Sequence, residues 1–269
     1  MSICILGNGL SALTLAKALV NNNIYVDLFT QKKNTKIIHS RTLGLTKSNS
    51  DFYSKNIINI EKLLWRLKKI EIFTENLKKE KLIKFEKDNN YLFSIVKNKE
   101  LFELLEKNLS KNKYFSKKIN KNKSLSFIDD YELIVNCDYS HPVTKKYFSK
   151  KIVKKYNSYA YITIIHHKKI LNDVATQIFT KKGPLAFLPI SDSKTSIVYS
   201  VHELYDKKNI EELIKIYNFK YKINKIDEFS TFELNFLNLR SYYHNIILDF
   251  GDLLHIVHPL AGQGFNMTI

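Results

Sequence analysis

The first thirty residues contain the feature that most constrains the fold. An apolar run at residues 3–6 is followed at once by Gly7-Asn8-Gly9-Leu10-Ser11-Ala12, and apolar residues then recur at helical spacing up to Val20. A second apolar run follows at residues 24–29. This order predicts strand, tight turn, helix and strand, the setting in which a G-x-G-x-x-G/A pattern has a physical meaning. The alternative is an ordinary tight turn.

In that setting the glycine pattern predicts dinucleotide binding. The first glycine, Gly7, makes the turn, and the second, Gly9, lets a pyrophosphate approach the backbone. Ala12 still permits close packing of the helix on the strand. The helix start supplies amide donors and a favourable dipole, so we expect Leu10 and Ser11 to contact the cofactor as well.

The acidic residue that normally ends the second strand and holds the adenosine ribose is missing. Its position falls at Thr30 or Gln31, whereas Asp27 lies inside the predicted strand and is expected to face elsewhere. A hydroxyl group binds a ribose more weakly than a carboxylate does. We therefore expect Thr30 to make a weakened ribose contact.

Composition sets the broad class. With 269 residues and 44% hydrophobic content, the chain can bury one large core or two linked cores. The net charge is +17, but the lysines are scattered, and no RNA-binding or helix-turn-helix signature accompanies them, so we expect no nucleic acid partner. No long apolar run or basic leader is present, which predicts a cytoplasmic protein. Its diffuse charge leaves open a peripheral attachment to the inner face of a membrane.

Neither cysteine nor histidine predicts a metal centre. Cys4 and Cys137 lie in strand-like runs, which favours small buried thiols over a disulfide. The chain has two histidine pairs, at 166–167 and at His255 and His258. Apart from Asp252, neither pair has a cysteine or acidic residue at the spacing of a metal ligand. We expect no metal.

The pattern of apolar and polar residues changes in the middle of the chain. An amphipathic helix is predicted at 101–109 and a buried strand at 131–137. The lysine-rich segments 111–123 and 145–155 are predicted to be solvated loops or helix faces. Between residues 158 and 202, four β-rich runs separated by polar turns indicate a mostly antiparallel sheet.

A glycine-rich motif near the C-terminus is the most specific signal in the sequence. It resembles the G-D-x-x-H-x-x-H-P-x-x-G-Q-G-x-N motif of the class A flavoprotein monooxygenases, in particular the UbiH/UbiF/VisC-type hydroxylases of ubiquinone biosynthesis. The matched residues are Gly251, Asp252, His255, His258, Pro259, Gly262, Gln263, Gly264 and Asn266. In that family the aspartate meets the ribityl chain of FAD, and the following loop and helix start lie against the pyrophosphate and the flavin ring.

Weaker matches extend the resemblance. The segment 40–46 is similar to the family's arginine-containing segment near FAD, with Arg41 as its arginine, and Trp65 and the segment 183–189 also match. The alternatives are a surface charge, a core tryptophan and a strand edge shaped by prolines. In the segment that links FAD and pyridine-nucleotide binding, Asp138 is kept. However, a tyrosine at 139 replaces the family's glycine and a lysine at 145 its arginine, which weakens the expectation of NAD(P)H reduction.

The resemblance implies an α/β fold with two domains. A Rossmann-like FAD-binding domain is expected at 1–155 and 236–269, and a mostly antiparallel β-sheet substrate domain at 156–235. The sequence does not single out a catalytic acid or base. The cofactor contacts implied by pattern and resemblance together are Gly7, Gly9, Leu10, Ser11, Ala12, Thr30, Arg41, Asp138, Asp252, Pro259, Gly262, Gln263, Gly264, Phe265 and Asn266.

The implied function is that of an FAD-dependent monooxygenase. It would hydroxylate the aromatic ring of a polyprenylated phenol in ubiquinone biosynthesis, using NAD(P)H and O2 through a flavin C4a-hydroperoxide. Because family members continue beyond the helix that should follow Asn266, the C-terminal part is expected to be missing. The main alternative is a non-catalytic FAD-binding or scaffold subunit of a ubiquinone-biosynthesis complex. A reductase or halogenase on the same fold is disfavoured because a Trp-x-Trp-x-x-Ile run is absent.

Overall fold

A computed structural model describes residues 2–30, 41–75, 80–86, 90–119, 130–256 and 263–269. The strands in these ranges belong to three sheets. In chain order they are β1 (Ser2–Leu6), β2 (Tyr25–Thr30), β3 (Thr42–Thr46), β4 (Trp65–Leu67), β5 (Lys69–Thr74), β6 (Lys81–Glu86), β7 (Phe93–Lys97), β8 (Phe115–Ile119), β9 (Leu133–Asn136), β10 (Lys151–His167), β11 (Val174–Thr180), β12 (Gly183–Pro189), β13 (Lys194–Val201), β14 (Ile223–Ile226), β15 (Ser230–Leu239), β16 (Tyr243–His244), β17 (Ile247–Asp249) and β18 (His255–Ile256).

The helices lie between these strands. They are α1 (Leu10–Asn21), α2 (Lys47–Asn56), α3 (Asn98–Leu109), α4 (Pro142–Tyr147), α5 (Lys207–Tyr217) and α6 (Gln263–Thr268), with short 3-10 helices at Glu61–Leu63 and Gly251–Leu253. Over the ranges given above, no helix is both long enough and apolar enough to cross a membrane.

The first sheet is almost entirely parallel and has the order β16-β17-β9-β1-β2-β8. Strand β1 pairs in parallel with β2 on one side and with β9 on the other. Its residues Cys4, Ile5 and Leu6 are fully buried, as expected for a strand covered on both faces. The predicted order of strand, turn, helix and strand is confirmed, and so is the buried strand at 131–137.

Helices α1 and α3 cover one face of this sheet. Ala12 and Leu13 of α1 and Leu101 and Leu105 of α3 are buried in one apolar cluster with β1 and β2. The spacing of these residues gives each helix one apolar stripe, which the sheet buries. The helix predicted at 101–109 is therefore confirmed, and it begins three residues earlier, at Asn98.

The second sheet has nine strands and is mostly antiparallel. Its order is β18-β15-β10-β13-β12-β11-β5-β6, and β14 pairs separately with β10. Only the β5–β11 pair is parallel among the pairings described for this sheet. All four β-rich runs predicted between 158 and 202 are strands of it. The sheet also includes β5 and β6 and reaches beyond 156–235 at both ends, while the proposed domain boundaries stay a prediction.

Helix α5 closes one face of the nine-stranded sheet. Ile210 and Ile214 of the helix pack with Tyr161 and Tyr199 of the sheet in a second apolar cluster. The opposite face packs against a small antiparallel sheet of order β3-β7-β4. There the indole nitrogen of Trp65 donates to the carbonyl of Asn172 at 2.7 Å. Trp65 thus joins two sheets, which supports its interpretation as a core residue.

The two lysine-rich segments agree only in part with the prediction of solvated loops or helix faces, because Lys145 and Lys146 are exposed on α4 whereas other residues of both segments form strands. Residues Phe115–Ile119 form β8, an edge strand of the parallel sheet. Strand β10 begins at Lys151, and its first five residues are exposed although they pair with β15. Lysine is compatible with strand edges and with solvated strand ends. Because neither face of these stretches is buried, they lack the alternating pattern from which a strand is predicted.

Candidate functional site

The loop after β1 is a tight turn that only glycine can make comfortably. Gly7 has a φ of +122°, a conformation that L side chains rarely adopt. Its N–H donates to the carbonyl of Phe29 at 2.9 Å. A Cβ atom at Gly7 would lie 3.3 Å from the carbonyl carbon of Cys137. The turn therefore lies directly against the end of β9.

Gly9 is placed differently, because the space around it is open. It is the N-cap of α1, with φ −87° and ψ 175°, and a Cβ there would meet no atom within 4 Å. The amides at a helix start have no intrahelical acceptor, and the first turn of α1 has no acidic residue. The start of α1 is thus positively polarised and open at Gly9, while Ser11 and Ala12 behind it are buried.

The position of this helix start in the sheet is that of a ligand site. Strand β1 continues through α1 to β2 on one side, whereas its other neighbour, β9, is followed in this sheet by β16 and β17, towards the opposite edge. Ligands of open α/β sheets bind outside the carboxyl ends of the strands at such a point. The open space at Gly9 and the helix dipole fit the pyrophosphate of a dinucleotide such as FAD.

The C-terminal glycine motif reaches the same place. Gly251, in the 3-10 helix after β17, has a φ of +78°. A Cβ atom at Gly251 would lie 2.6 Å from the Cβ of Ser11 and 2.9 Å from its Oγ. The two glycine segments, 244 residues apart by number (251 − 7), therefore meet at the first turn of α1. Asp252 follows at once in the chain, and its side chain lies outside the described residues.

Three further predicted contacts lie around this centre. Thr30 is buried at the carboxyl end of β2, next to the glycine turn. Asp138 follows β9, and its Oδ1 accepts hydrogen bonds from the backbone N–H and the hydroxyl of Ser140, both at 2.8 Å. Arg41 is exposed immediately before β3. Asp138 is thus committed to its own turn, whereas Arg41 is available to solvent.

Helix α6 closes the site from the C-terminal side, where two predicted contacts have structural partners. Phe265 is buried in the core beside Tyr53, with 6.2 Å between ring centroids. The side-chain amide of Asn266 donates to the carbonyl of Gly44 at 2.7 Å and accepts from the N–H of Thr46 at 3.1 Å. These bonds tie α6 to β3.

The remaining predicted contacts are only partly described. Gly264 is half-buried in α6, and Gln263 is described in its backbone alone. Pro259 and Gly262, together with His258, lie outside the described residues. Their contribution to the site stays a prediction.

Sequence reasoning missed a polar cluster beside the glycine turns. Asn136, fully buried at the end of β9, donates to Asp249 Oδ1 at 2.7 Å and to Thr144 Oγ1 at 2.8 Å. Asp249, at the end of β17, is 1% exposed, and burial raises the pKa of its carboxyl group to about 6, against the opposing hydrogen bond from Asn136. The sequence did contain a signal for this cluster, because each of two apolar strand-like runs ends in a polar residue, Asn136 or Asp249.

A half-buried apolar row lies on the face of the nine-stranded sheet opposite α5. Ile162, Val198 and Ala186 stand side by side on adjacent strands β10, β13 and β12. The next row on this face includes Ser196, whose hydroxyl accepts a hydrogen bond from Thr42 of β3 at 3.1 Å. This face can contact an apolar molecule.

Comparison with solved structures gives the class of fold. The chain aligns with p-nitrophenol 4-monooxygenase of Pseudomonas putida DLL-E4 over 97% of its own length and 75% of that chain, with a TM-score of 0.80 at 11% identity. A probable FAD-dependent monooxygenase of Pseudomonas aeruginosa aligns over 100% of this chain and 82% of that chain, with a TM-score of 0.76 at 15% identity. The chain therefore has the fold of these monooxygenases.

Sequence relatives point in the same direction. The mitochondrial ubiquinone biosynthesis monooxygenase of Mus musculus is 26% identical over an alignment of 156 residues, and the match covers 42% of this chain and 33% of the relative. The protein of that name from Danio rerio is 24% identical over an alignment of 180 residues, and the match covers 51% of this chain and 37% of the relative. The matched region thus spans about a third of these relatives. No protein-family model matches the chain.

Proposed function

We propose that this chain binds FAD and is the cofactor-binding part of a monooxygenase. The observation that carries the proposal is the meeting of the Gly7–Gly9 turn and Gly251 at the open start of α1. The dipole and the first-turn amides of α1 favour the pyrophosphate, and Gly9 leaves it room. When bound, FAD would supply the redox chemistry with O2, and the chain's own residues would hold the cofactor and exclude water around it.

The finer proposal is that this is a UbiH/UbiF/VisC-type hydroxylase acting on a polyprenylated phenol in ubiquinone biosynthesis. The C-terminal motif from Gly251 to Asn266 and the names of the sequence relatives support it. The apolar row of Ile162, Val198 and Ala186 offers a surface on which an aromatic ring with an apolar tail can lie. A net charge of +17 supports a peripheral attachment to an anionic membrane or to a biosynthetic complex.

Reduction by NAD(P)H is part of the same proposal, and one observation favours the non-catalytic alternative. The carboxylate of Asp138 is bonded to Ser140, and Lys145 points to solvent on α4 instead of offering a forked guanidinium. NADPH oxidation measured with and without a polyprenylated phenol separates the two. Turnover stimulated by the phenol supports the hydroxylase, whereas a protein that binds FAD without such turnover supports a scaffold subunit.

A substitution at Gly9 tests FAD binding directly. Serine is a good N-cap residue, so Gly9→Ser should leave the flavin-free fold at least as stable, because its Cβ meets nothing within 4 Å. The same side chain occupies the space of the pyrophosphate. We expect the FAD dissociation constant, measured by quenching of flavin fluorescence, to rise about tenfold or more, a loss of about 1.4 kcal/mol.

The matched control is Lys97→Ser, which introduces a serine at the N-cap of α3, where no side-chain cap bond exists. It also removes the exposed ion pair between Lys97 and Glu100, so the stability of the flavin-free protein should change by less than about 1 kcal/mol, and FAD affinity should stay unchanged. An unchanged FAD affinity in Gly9→Ser would contradict the proposed site.

A further inference from the structure

The side chain of Asn136 connects the two glycine turns through one buried cluster. Its Oδ1 accepts from the backbone N–H of Asp138 at 3.2 Å, while its Nδ2 donates to Asp249 at 2.7 Å. Its backbone carbonyl accepts from the N–H of Phe250 at 2.9 Å. Asp138 lies under Gly7, and Phe250 precedes Gly251. Asn136 therefore bonds to the segments on both sides of the proposed pyrophosphate site.

Asp249 is the other half of this bridge, and its carboxyl group is incompletely satisfied. Oδ1 accepts from Asn136, but Oδ2 is buried without a hydrogen-bond partner within the part of the chain that the structure describes. An ionised carboxylate with one hydrogen bond in a buried position carries a large desolvation cost. A protonated carboxyl group avoids that cost and keeps Oδ1 as an acceptor for Asn136.

The groups around Asp249 are neutral. Alternation along β9 and β17 directs Asn136, Asp249 and the apolar Ile247 towards α4. From α4 the cluster receives Thr144, whose hydroxyl bonds to Asn136, and Val143, while Lys145 and Lys146 are exposed. His141 at the start of α4 uses Nδ1 to accept from a backbone N–H, and the carbonyl of Tyr242 accepts from the N–H of Asp249.

We propose that Asn136 and Asp249 are positioning residues that hold the Gly7 and Gly251 turns at the spacing FAD requires, and that ionisation of Asp249 loosens this spacing and weakens FAD binding. The inference rests on the proposed FAD site. Both residues act through the backbone of the turns and touch no cofactor atom themselves. Asn136 and Asp249 are register partners at the carboxyl ends of the parallel strands β9 and β17.

The direction of the pH dependence follows from the burial of Asp249. Its pKa is raised from the usual 3.8 to about 6 in the folded protein. A raised carboxyl pKa contributes stability that is fully present below pH 3.8 and is lost as the pH rises through about 6. The flavin-free fold should therefore lose stability as the pH rises from about 4 to about 6, and the spacing of the turns should loosen as the carboxyl group of the folded protein ionises around pH 6.

Asp249→Asn tests the proposal because the amide keeps the acceptor for Asn136 and never ionises. FAD dissociation constants would be measured by flavin fluorescence between about pH 5 and pH 8, together with thermal unfolding of the flavin-free protein. We expect wild-type affinity to fall about three- to tenfold across this range and that of Asp249→Asn to stay nearly constant. Asp227→Asn, a matched change just after β14 of the other sheet, should keep the wild-type pH slope.

The outcomes separate the two proposals. FAD binding by Asp249→Asn with the full wild-type pH slope would overturn the positioning role and leave the FAD site intact. A folded wild-type protein that binds no FAD at any pH would overturn the proposed function, and the positioning role with it. Should Asp249→Asn fail to fold, the double variant Asn136→Leu/Asp249→Leu removes both the ionisable group and the bonds between the turns, and we expect an FAD affinity that is independent of pH and weaker than that of the wild type at about pH 5.

Discussion

Two glycines at the proposed cofactor site differ in the space around them. Around Gly9 a Cβ atom would meet nothing, whereas at Gly251 it would overlap Ser11 at 2.6 Å. The positive φ of Gly251, +78°, adds backbone strain for any other residue. Glycine at 9 is therefore needed only for a ligand, and glycine at 251 is needed by the fold itself.

This difference predicts that Gly251→Ala destabilises the flavin-free protein. Strain at the left-handed backbone and the clash with Ser11 should together lower the free energy of unfolding by about 1–3 kcal/mol or more. Denaturant unfolding of the flavin-free protein measures it. Gly9→Ala serves as the control and should cost less than about 1 kcal/mol. Equal losses in the two variants would show that the contact with Ser11 does not govern the turn.

At the residue scale, the sequence identified the glycine pattern but not every partner. Gly7 and Gly9 were predictable because their spacing after a strand has one physical use. The roles of Asn266 and Phe265 were not predictable in the same way. A motif match says which residues recur together, whereas the bonds of Asn266 to Gly44 and Thr46 depend on β3 folding back onto α6.

At the scale of elements, strand β6 is unusual because it exposes large apolar side chains at the edge of a sheet. Leu82, Ile83 and Phe85 are 50%, 45% and 49% exposed, and β6 pairs only with β5 within the described part of the chain. Unpaired edge strands with exposed apolar residues are templates for pairing with another chain. Edge lysines normally prevent this, and Lys81 and Lys84 do so only in part because both form ion pairs with glutamates.

This predicts that Ile83→Lys reduces self-association. A charge in the middle of the edge strand makes pairing with a second copy unfavourable, while the exposed position leaves the fold unaffected. Light scattering during concentration or mild heating should show later and weaker aggregation than in the wild type. Ile216→Lys, on the exposed face of α5, adds the same charge away from the edge and should change little. Equal protection by both variants would mean that net charge is responsible.

Helices were easier to predict than strands in this chain. Residues 101–109 have one apolar face, which the spacing of Leu101 and Leu105 reveals. Strand β8 and the start of β10 have exposed side chains on both faces, so no period of two is visible. Their pairing comes from neighbours distant in sequence, such as β15, whose residue Leu239 faces Lys151.

At the scale of the whole molecule, a net charge of +17 predicts a salt-dependent stability. Like charges repel more strongly in the compact state, and added salt screens them. We expect the unfolding temperature to rise between about 10 mM and about 150 mM NaCl, as the screening length falls from about 30 Å to about 8 Å. Exposed ion pairs weaken in parallel, but each contributes only about 0–1 kcal/mol.

Thermal unfolding of the flavin-free protein followed by circular dichroism measures this rise. A parallel titration at alkaline pH, where part of the lysines has lost its proton, should give a smaller rise. A steady fall in unfolding temperature with salt at neutral pH would mean that the ion pairs outweigh the net repulsion.

The sequence by itself determined the α/β class, the strand–turn–helix at its start and the kind of ligand that the glycine turns suit. These follow from local spacing and from backbone conformations that only glycine adopts readily. Tertiary structure alone decided that Gly251 packs on Ser11, that Asn136 meets Asp249, and that β5 and β6 join the nine-stranded sheet. Each of these contacts joins residues far apart in the chain, and long-range pairing depends on how whole strands and helices pack, which no local pattern encodes.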